Sequence, residues 1–371
     1  MASRKKRAGT SPEPVSSIRQ RIDSVDRQLH ELINQRAELA RQVGISKHAQ
    51  GNIVDFYRPE REAEVLRLAL ERNRDGALRD EEILRLFREI MSACLAQEKP
   101  LKVAYLGPEG TYSQQAVLKQ FGHSVRALSL TSIDEVFQEV QAGNADFGVV
   151  PVENSSEGTV NNTLDRFLTT TLNICGEVEL RVHHNLMGRM KDNAQIQRIC
   201  AHPQALGQCR MWLDEHLPGV ERVPVSSNAE GARRARDELG TAAVAGDVAA
   251  EVYGLTILAP HIEDHDDNTT RFLVIGSRVP GASGADRTSL LVSGDKAKAG
   301  SLFHLLEPLA TYKVNMSRIE SRPSRKHKWD YVFFIDLEGH AGDRNVAKAL
   351  AELKKRSSLF RVLGSYPRAV L

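Results

Sequence analysis

Apolar side chains recur at Ile18, Ile22, Val25, Leu29, Leu32, Leu39 and Val43. Spacings of four and three alternate, as in one long helix packed along its whole length against other helices. Where the next apolar residue belongs, within "LHELINQRAELARQV", stands Arg36. A cation inside such a seam is costly to desolvate unless an anion meets it, so something negative is expected inside this bundle.

Arg36 has company. Lys47 lies further along, about 20° around the same helix if the helix stays regular past Gly44. Arg19 sits beside the seam near its start. "PEREAEV" offers Arg61 and Glu62 on a second helix, where Pro59 suits the first turn and Glu60 and Glu62 suit the positive end of the helix dipole. A third helix after "NRDGALRD" carries Ile83, Phe87, Ile90 and Cys94 on its seam. Helices of such unequal length leave much of the first stripe uncovered, and pairing with a second copy is the natural remedy. Cations around one interior space suit a small organic dianion; the alternative is an ordinary ion pair between Arg36 and a neighbouring Glu.

Composition excludes several classes. Fifty basic residues balance 48 acidic ones for a net charge of +2, leaving no global excess to hold nucleic acid. Cys94, Cys175, Cys200 and Cys209 form no C-x-x-C pair, which argues for a reducing cytosol and against a disulfide framework or zinc site. No run approaches the ~18 apolar residues of a membrane span, so a cytoplasmic chain without membrane contact is expected. The opening "MASRKKRAGTSPEP" lacks interleaved aromatics and reads as a solvated tail over residues 1–15.

Three domains follow. An all-α bundle is expected over 16–100, a two-lobed α/β domain over 101–280 and an α+β ferredoxin-like domain over 286–371. In the middle domain "VAYLG", "DFGVVPV", "RICAH", "TAAVAG" and "RFLVIG" alternate with helical stretches, which argues a largely parallel sheet. "SRVPGASGADR" reads as a linker, and the last segment has βαββαβ order. In the middle domain "YLGPEGTYSQQA", "VVPVENSSEGTV" and "EDHDDNTTRFLVIG" are polar turns at strand ends. Singly each is an ordinary capped turn; together they point to a ligand cleft, with Thr111 and Ser113 adding hydroxyls to an anion-binding turn.

Residues 16–98, through "IRQRIDSVDRQLHELINQRAELARQVG", "RPERE" and the third helix, resemble the all-helical chorismate mutase domain. The resemblance implies rearrangement of chorismate to prephenate without a cofactor. Arg36, with Arg19 from a partner subunit, would hold the carboxylates. Lys47 would face the ether oxygen, Arg61 would support the site and Glu62 would accept from the substrate hydroxyl. Cys94 and Glu98 align where many members carry Ser and Gln. Glu98 can donate only when protonated, so mutase activity is expected to fall as pH rises through its pKa. Arg58 stands where some members have a carboxylate.

"GPEGTYS", "VPVENS", "HPQALGQC", "SNAEGA" and "TTRF", spanning residues 103–276, are similar to prephenate dehydratase. Loss of carboxylate and hydroxyl from prephenate, giving phenylpyruvate, is implied, with Thr270 donating to the leaving oxygen. Glu153, Asn154 and Ser155 match the E-N-S motif, Gln208 matches the third motif, and Thr111 and Ser113 would hold a carboxylate. Arg271 either binds a carboxylate or braces its strand. Ala201 replaces a Ser found in some members, and His202 before Pro203 reads as structural.

"GSLFHLLEPLATYKVNMSRIESRP" resembles the ACT-type regulatory domain through Glu320, Ser321, Arg322 and Pro323, with Gly300, Ser301 and Leu302 opening the preceding helix and Asn315 before the strand. Inhibition by phenylalanine bound between paired domains is implied. Together the resemblances imply a bifunctional enzyme acting as a homodimer or higher oligomer. Two alternatives stand beside it: a dehydratase preferring arogenate, and an amino-acid-sensing binding protein without catalysis.

Overall fold

The computed structural model describes residues 13–49, 57–97, 99–295, 299–324 and 331–370, with the backbone alone at 47–49. Most of the basic tail, "GNIVDF" ahead of the second helix, Glu98 and most of the basic loop "RPSRKHKW" lie outside the described residues.

Three helices open the chain: α1 (Val15–Ala49), α2 (Pro59–Arg72) and α3 (Asp80–Ala96). α1 runs unbroken through Gly44. Packing along its whole length is not met within one chain, since Ile22, Val25, Leu29 and Leu32 remain 51–60% exposed. Length is the reason: α1 has 35 residues against 14 and 17 in α2 and α3. Its more covered positions gather at Arg36, Ala37, Ala40 and Gly44.

The buried row of α3 also departs from expectation. Leu84, Arg88, Ser92 and Cys94 are buried, while Ile83, Phe87 and Ile90 are only half covered. That row faces the next domain, where Ser92 Oγ accepts from the Ser124 amide at 3.2 Å. Gly122 sits there at φ +71°, and a Cβ on it would come within 2.6 Å of Ser92 Cβ, so only glycine fits.

The middle domain has two lobes. The first contains β1 (Lys102–Leu106), α4 (Tyr112–Phe121), β2 (Arg126–Leu130), α5 (Ile133–Gln141), β3 (Phe147–Asn154), β4 (Gly158–Thr159), α6 (Asn161–Phe167) and β5 (Asn173–Arg181). The second contains β6 (Asn185–Gly188), β7 (Arg198–Ala201), α7 (Pro203–Gln208), α8 (Arg210–His216), β8 (Glu221–Pro224), α9 (Asn228–Asp237), β9 (Thr241–Ala245), α10 (Asp247–Tyr253) and β10 (Thr256–Ala259). The chain then returns to the first lobe as β11 (Thr269–Gly276).

The sheet orders are β2-β1-β3-β11-β5, with β4 on β3, and β10-β6-β9-β7-β8. They are mixed rather than largely parallel: β11 is antiparallel to β3 and β5, and β6 to β9 and β10. The cause is the double crossing between lobes. β3 ends at the cleft and β11 enters from it, so Thr270 pairs with Asn154 across antiparallel strands.

The last domain is β12 (Asp286–Ser293), α11 (Ser301–Thr311), β13 (Met316–Pro323), β14 (Tyr331–Glu338), α12 (Arg344–Arg356) and β15 (Leu359–Pro367), in the antiparallel order β13-β14-β12-β15. This is the expected ferredoxin-like order. β15 lies against β5 so closely that a Cβ on Gly364 would come 2.2 Å from the Ile174 carbonyl oxygen. The connection before β12 is tied down: Arg67 of α2 donates to the Ser283 and Ala285 carbonyls at 2.7 and 2.9 Å. Among the described residues no helix is long and apolar enough to cross a membrane.

Candidate active sites

The helical domain holds a pocket of about 450 Å³. α1 contributes Arg36 and Val43 to its wall, α2 contributes Arg61 and Glu62, and α3 contributes Arg88 and Cys94; Phe121 of α4 closes one side. Four residues named from sequence thus meet: Arg36, Arg61, Glu62 and Cys94. Arg36 is half-buried rather than buried, and among the described residues no hydrogen bond or ion pair meets its guanidinium. The neighbouring-Glu alternative is therefore not met among the described residues. Arg61 is exposed and pairs with Glu64 at 2.9 Å; Arg58 pairs with Glu60 at 3.0 Å.

Arg19 is exposed and does not join them. It lies 17 positions before Arg36, about 25 Å along a straight helix, so it does not reach the pocket of its own chain. Lys47 continues the helix, its side chain outside the described atoms, as is Glu98.

Sequence reading missed Arg88 and Tyr57. Arg88 donates to the Val370 carbonyl at 2.9 Å, and its buried Nε has no partner. A cation one turn before Ser92 is the same signal that Arg36 gave, hidden by reading the α3 seam on the wrong face. Burial pushes the Glu62 carboxyl up to about 7, against the downward pull of Arg88 and the Tyr57 hydroxyl.

The second site lies where the lobes join. Thr270 Oγ1 accepts from Asn154 Nδ2 at 2.8 Å. The same nitrogen donates to Asn268 Oδ1 at 2.8 Å, and Asn268 Nδ2 donates to Gln208 Oε1 at 3.2 Å. Gln208 Oε1 also lies 2.7 Å from His184 Nε2, and His184 Nδ1 lies 2.7 Å from the Tyr112 hydroxyl. Thr270, Asn154 and Gln208 are thus brought together from two lobes, as expected. His184, Asn268 and Tyr112 were not foreseen. His184 and Asn268 stand on the two segments that cross between lobes; His184 lies outside every motif, and Asn268 lies in the polar turn before Thr269 without having been singled out. Those segments are laced together by the Val182 amide on the Asn268 carbonyl and the Ile262 amide on the His184 carbonyl, both at 2.8 Å. Burial holds His184 below its ordinary pKa and Tyr112 well above its own.

Other expected residues stand elsewhere. Strand neighbours face opposite ways, so Glu153 and Arg271 turn away from the cleft that Asn154 and Thr270 face. Glu153 pairs with Arg318 of β13 at 3.1 Å. Arg271 donates to Glu177 at 2.8 Å, Asp336 at 2.6 Å and Tyr366 at 3.0 Å, so it braces the last domain and has no fork left for a substrate. Ser155 is exposed; its hydroxyl bridges the Asp267 carbonyl and the Thr269 amide at 3.3 and 3.0 Å. Thr111 donates to the Leu106 carbonyl at 3.2 Å, Ser113 is buried on α4, and His202 caps α7 by accepting from the Gln204 amide at 3.3 Å.

In the last domain Gly300 holds φ +73° at the start of α11, a left-handed conformation that favours glycine. Ser301 is half-buried; Leu302 and Asn315 are exposed. Glu320 accepts from Thr159 at 3.0 Å, and Arg322 pairs with Asp165 at 2.8 Å, so both engage the middle domain. Ser321 and Pro323 face outward on the edge strand β13. Among the described residues no hydrogen bond or ion pair joins Gly300–Leu302 to Glu320–Pro323.

One trio invites a metal: His183, His261 and Glu263. The two imidazoles stack with centroids 4.1 Å and planes 20° apart, and His183 Nδ1 lies 2.7 Å from Glu263. Ring lone pairs lie in the ring planes, so near-parallel rings do not converge on one ion.

Three family models match the chain: "Chorismate mutase type II" over residues 18–99, "Prephenate dehydratase" over 103–280 and "ACT domain" over 288–355. A "Bifunctional chorismate mutase/prephenate dehydratase" of Stutzerimonas stutzeri is 53% identical over 363 residues, covering 97% of this chain and 99% of that protein. A prephenate dehydratase from Arthrobacter aurescens, solved in complex with L-Phe, is similar at TM-score 0.67 and 38% identity over 72% of this chain and 90% of its own. A structure described as GqqA, a novel type of quorum quenching acylase, is similar at TM-score 0.66 and 32% identity over 72% of this chain and 98% of its own.

Proposed function

The chain belongs to the bifunctional chorismate mutase/prephenate dehydratase family, and from that premise we propose how its residues divide the work. Arg36 is the grip on chorismate: a half-buried guanidinium without a protein anion among the described residues suits a substrate carboxylate. Arg19 of the partner subunit supplies the second cation. The open apolar stripe on α1 supports a homodimer in which α1 of one copy covers that of the other. Arg61, Glu62, Cys94 and Arg88 form the wall, and Lys47 and Glu98, whose side chains lie outside the described atoms, are assigned the role of donors to the breaking ether oxygen. Rearrangement then needs only a compact conformer and stabilised charge on oxygen.

Glu62 gives this site a pH dependence. Its folded pKa of about 7 stands above the ordinary 4.5, so the proton's stabilising contribution is full below that lower value and lost as pH rises through about 7. Ionised Glu62 also repels a dianion. Mutase kcat/KM is expected to fall between pH 6 and 8, and Glu62→Gln should flatten that profile. A wild-type profile flat across this range would overturn the assignment.

In the second site the Asn154 amide occupies the Thr270 oxygen as a donor, leaving the Thr270 proton for the departing hydroxyl of prephenate. The C–O and C–carboxylate bonds break, the electrons of the latter complete the aromatic ring as carbon dioxide leaves, and the C–O electrons depart with the oxygen as hydroxide, to which Thr270 donates a hydrogen bond. The convergence of Thr270, Asn154 and Gln208 from two lobes is the observation that supports this reading. Thr111 and Ser113 remain candidates for a substrate carboxylate from the α4 turn. For the last domain we infer that phenylalanine binds at the outward face of β13 and the start of α11. Links from Arg318 to Glu153 and from Asp336 to Arg271 adjoin the dehydratase strands and offer a route for inhibition. Buried free cysteines suit a cytoplasmic setting.

The test is product analysis with chorismate alone, with and without phenylalanine. Phenylpyruvate that declines when phenylalanine is added is the expected result. Prephenate accumulating without phenylpyruvate would overturn the dehydratase reading and leave the mutase.

A further inference from the structure

The three amide oxygens of the second site, those of Asn154, Asn268 and Gln208, all face protein donors, and the reason can be followed bond by bond. Asn154 Oδ1 accepts from the main-chain amides of Ser156 and Glu157, both at 3.0 Å. A main-chain N–H can only donate, so the Asn154 amide is fixed one way round, with Nδ2 toward Thr270 and Asn268. Asn268 must then present Oδ1 to Asn154 and Nδ2 to Gln208. Gln208 must present Oε1 to Asn268, and this oxygen also faces His184 Nε2, which therefore carries a hydrogen. Every amide in the row has one allowed orientation, and His184 one allowed tautomer while neutral.

The consequence falls on Gln208. Its oxygen holds two donors, and among the described residues no hydrogen bond engages its Nε2. Gln208 is half-exposed, whereas Asn268 and His184 are 5% and 2% exposed. We propose that Asn268 and His184 are positioning residues that set substrate specificity: they hold Gln208 with its NH2 group, not its carbonyl, toward the substrate anion. This rests on reading the cleft as the prephenate site. Two donors, the Gln208 N–H and the Thr270 O–H, then face a dianion, and no amide oxygen of the row repels it. Neither crossover residue touches the substrate in this account.

At the far end the Tyr112 hydroxyl has two acceptors for its single proton, His184 Nδ1 and the His183 carbonyl at 2.8 Å. When that proton turns to Nδ1 rather than to the carbonyl, the bare nitrogen of a neutral His184 is satisfied without a charge.

The test uses the full-length chain. 15N NMR of labelled histidine should show His184 at pH 7 as the neutral Nε2–H tautomer. In Asn268→Asp, a carboxylate that cannot donate to Gln208 turns that amide over, and His184 should change to Nδ1–H. KM for prephenate should rise about tenfold, with kcat changed less than about threefold. Asn268→Ala, which adds no charge, should raise KM in the same direction, and mutase turnover in each variant reports that the chain is folded. A wild-type His184 that is Nδ1–H or doubly protonated, or an Asn268→Asp or Asn268→Ala variant that lowers kcat at unchanged KM, would overturn the proposal. The tautomer is read without turnover, so a cleft that does not process prephenate would fail separately.

Discussion

In Thr270→Ala, conversion of prephenate to phenylpyruvate is expected to fall by about 10²–10³, the usual cost of removing one donor aimed at developing negative charge. Chorismate should still be consumed at the wild-type rate, because the helical pocket shares no residue with the cleft. Prephenate would therefore build up in the variant. The loss should appear in kcat rather than KM, since the departing oxygen is fully charged only in the transition state. Thr270→Ser keeps the hydroxyl and the acceptor for Asn154, and it should retain most of the activity. A Thr270→Ala enzyme within about threefold of wild type would remove Thr270 from the reaction.

The second large effect is structural. Arg271 is 11% exposed and holds two carboxylates, Glu177 and Asp336, that are 1% and 8% exposed. Arg287 also meets Glu177, Tyr366 bonds both Arg271 and Ser289, and the Ala369 amide reaches the other Glu177 oxygen at 3.2 Å. The cluster lies between β11 and the last domain. Removing one partner of a buried pair leaves the other's charge uncompensated, so Arg271→Ala should destabilise the folded chain by about 3–5 kcal/mol. Denaturant unfolding should show the last two domains separating into two transitions where the wild type shows one. Arg271→Lys should recover little, since an ammonium cannot make three divergent contacts in that plane. A loss below about 1 kcal/mol would mean that the cluster is dispensable and that β15 packing on β5 holds the domains together.

Much of this was written locally. The four-three apolar rhythm specified α1, and Pro59 with Glu60 and Glu62 specified where α2 begins, because helix periodicity and end chemistry act over a few residues. Short β-rich runs bounded by turns specified the strands of the middle domain. The βαββαβ order of the last domain followed from alternation alone. Thr270, Asn154 and Gln208 were legible through the resemblance of their short motifs to prephenate dehydratase.

Tertiary structure decided what depends on which face meets which neighbour. A strand residue and its successor differ by a half-turn, so Thr270 reaches the cleft while Arg271 reaches the last domain, and Asn154 and Glu153 divide likewise. The buried row of α3 was set by a docking partner some thirty residues away, which put Arg88 in the pocket wall unannounced. Sheet direction was set by the chain crossing twice between lobes, and the same crossings placed His184 and Asn268 side by side with Gln208. Sequence by itself determined the elements and the motif residues at their ends; the orientation of each polar side chain, and hence which donors face an anion, came only from contacts between residues far apart in the chain.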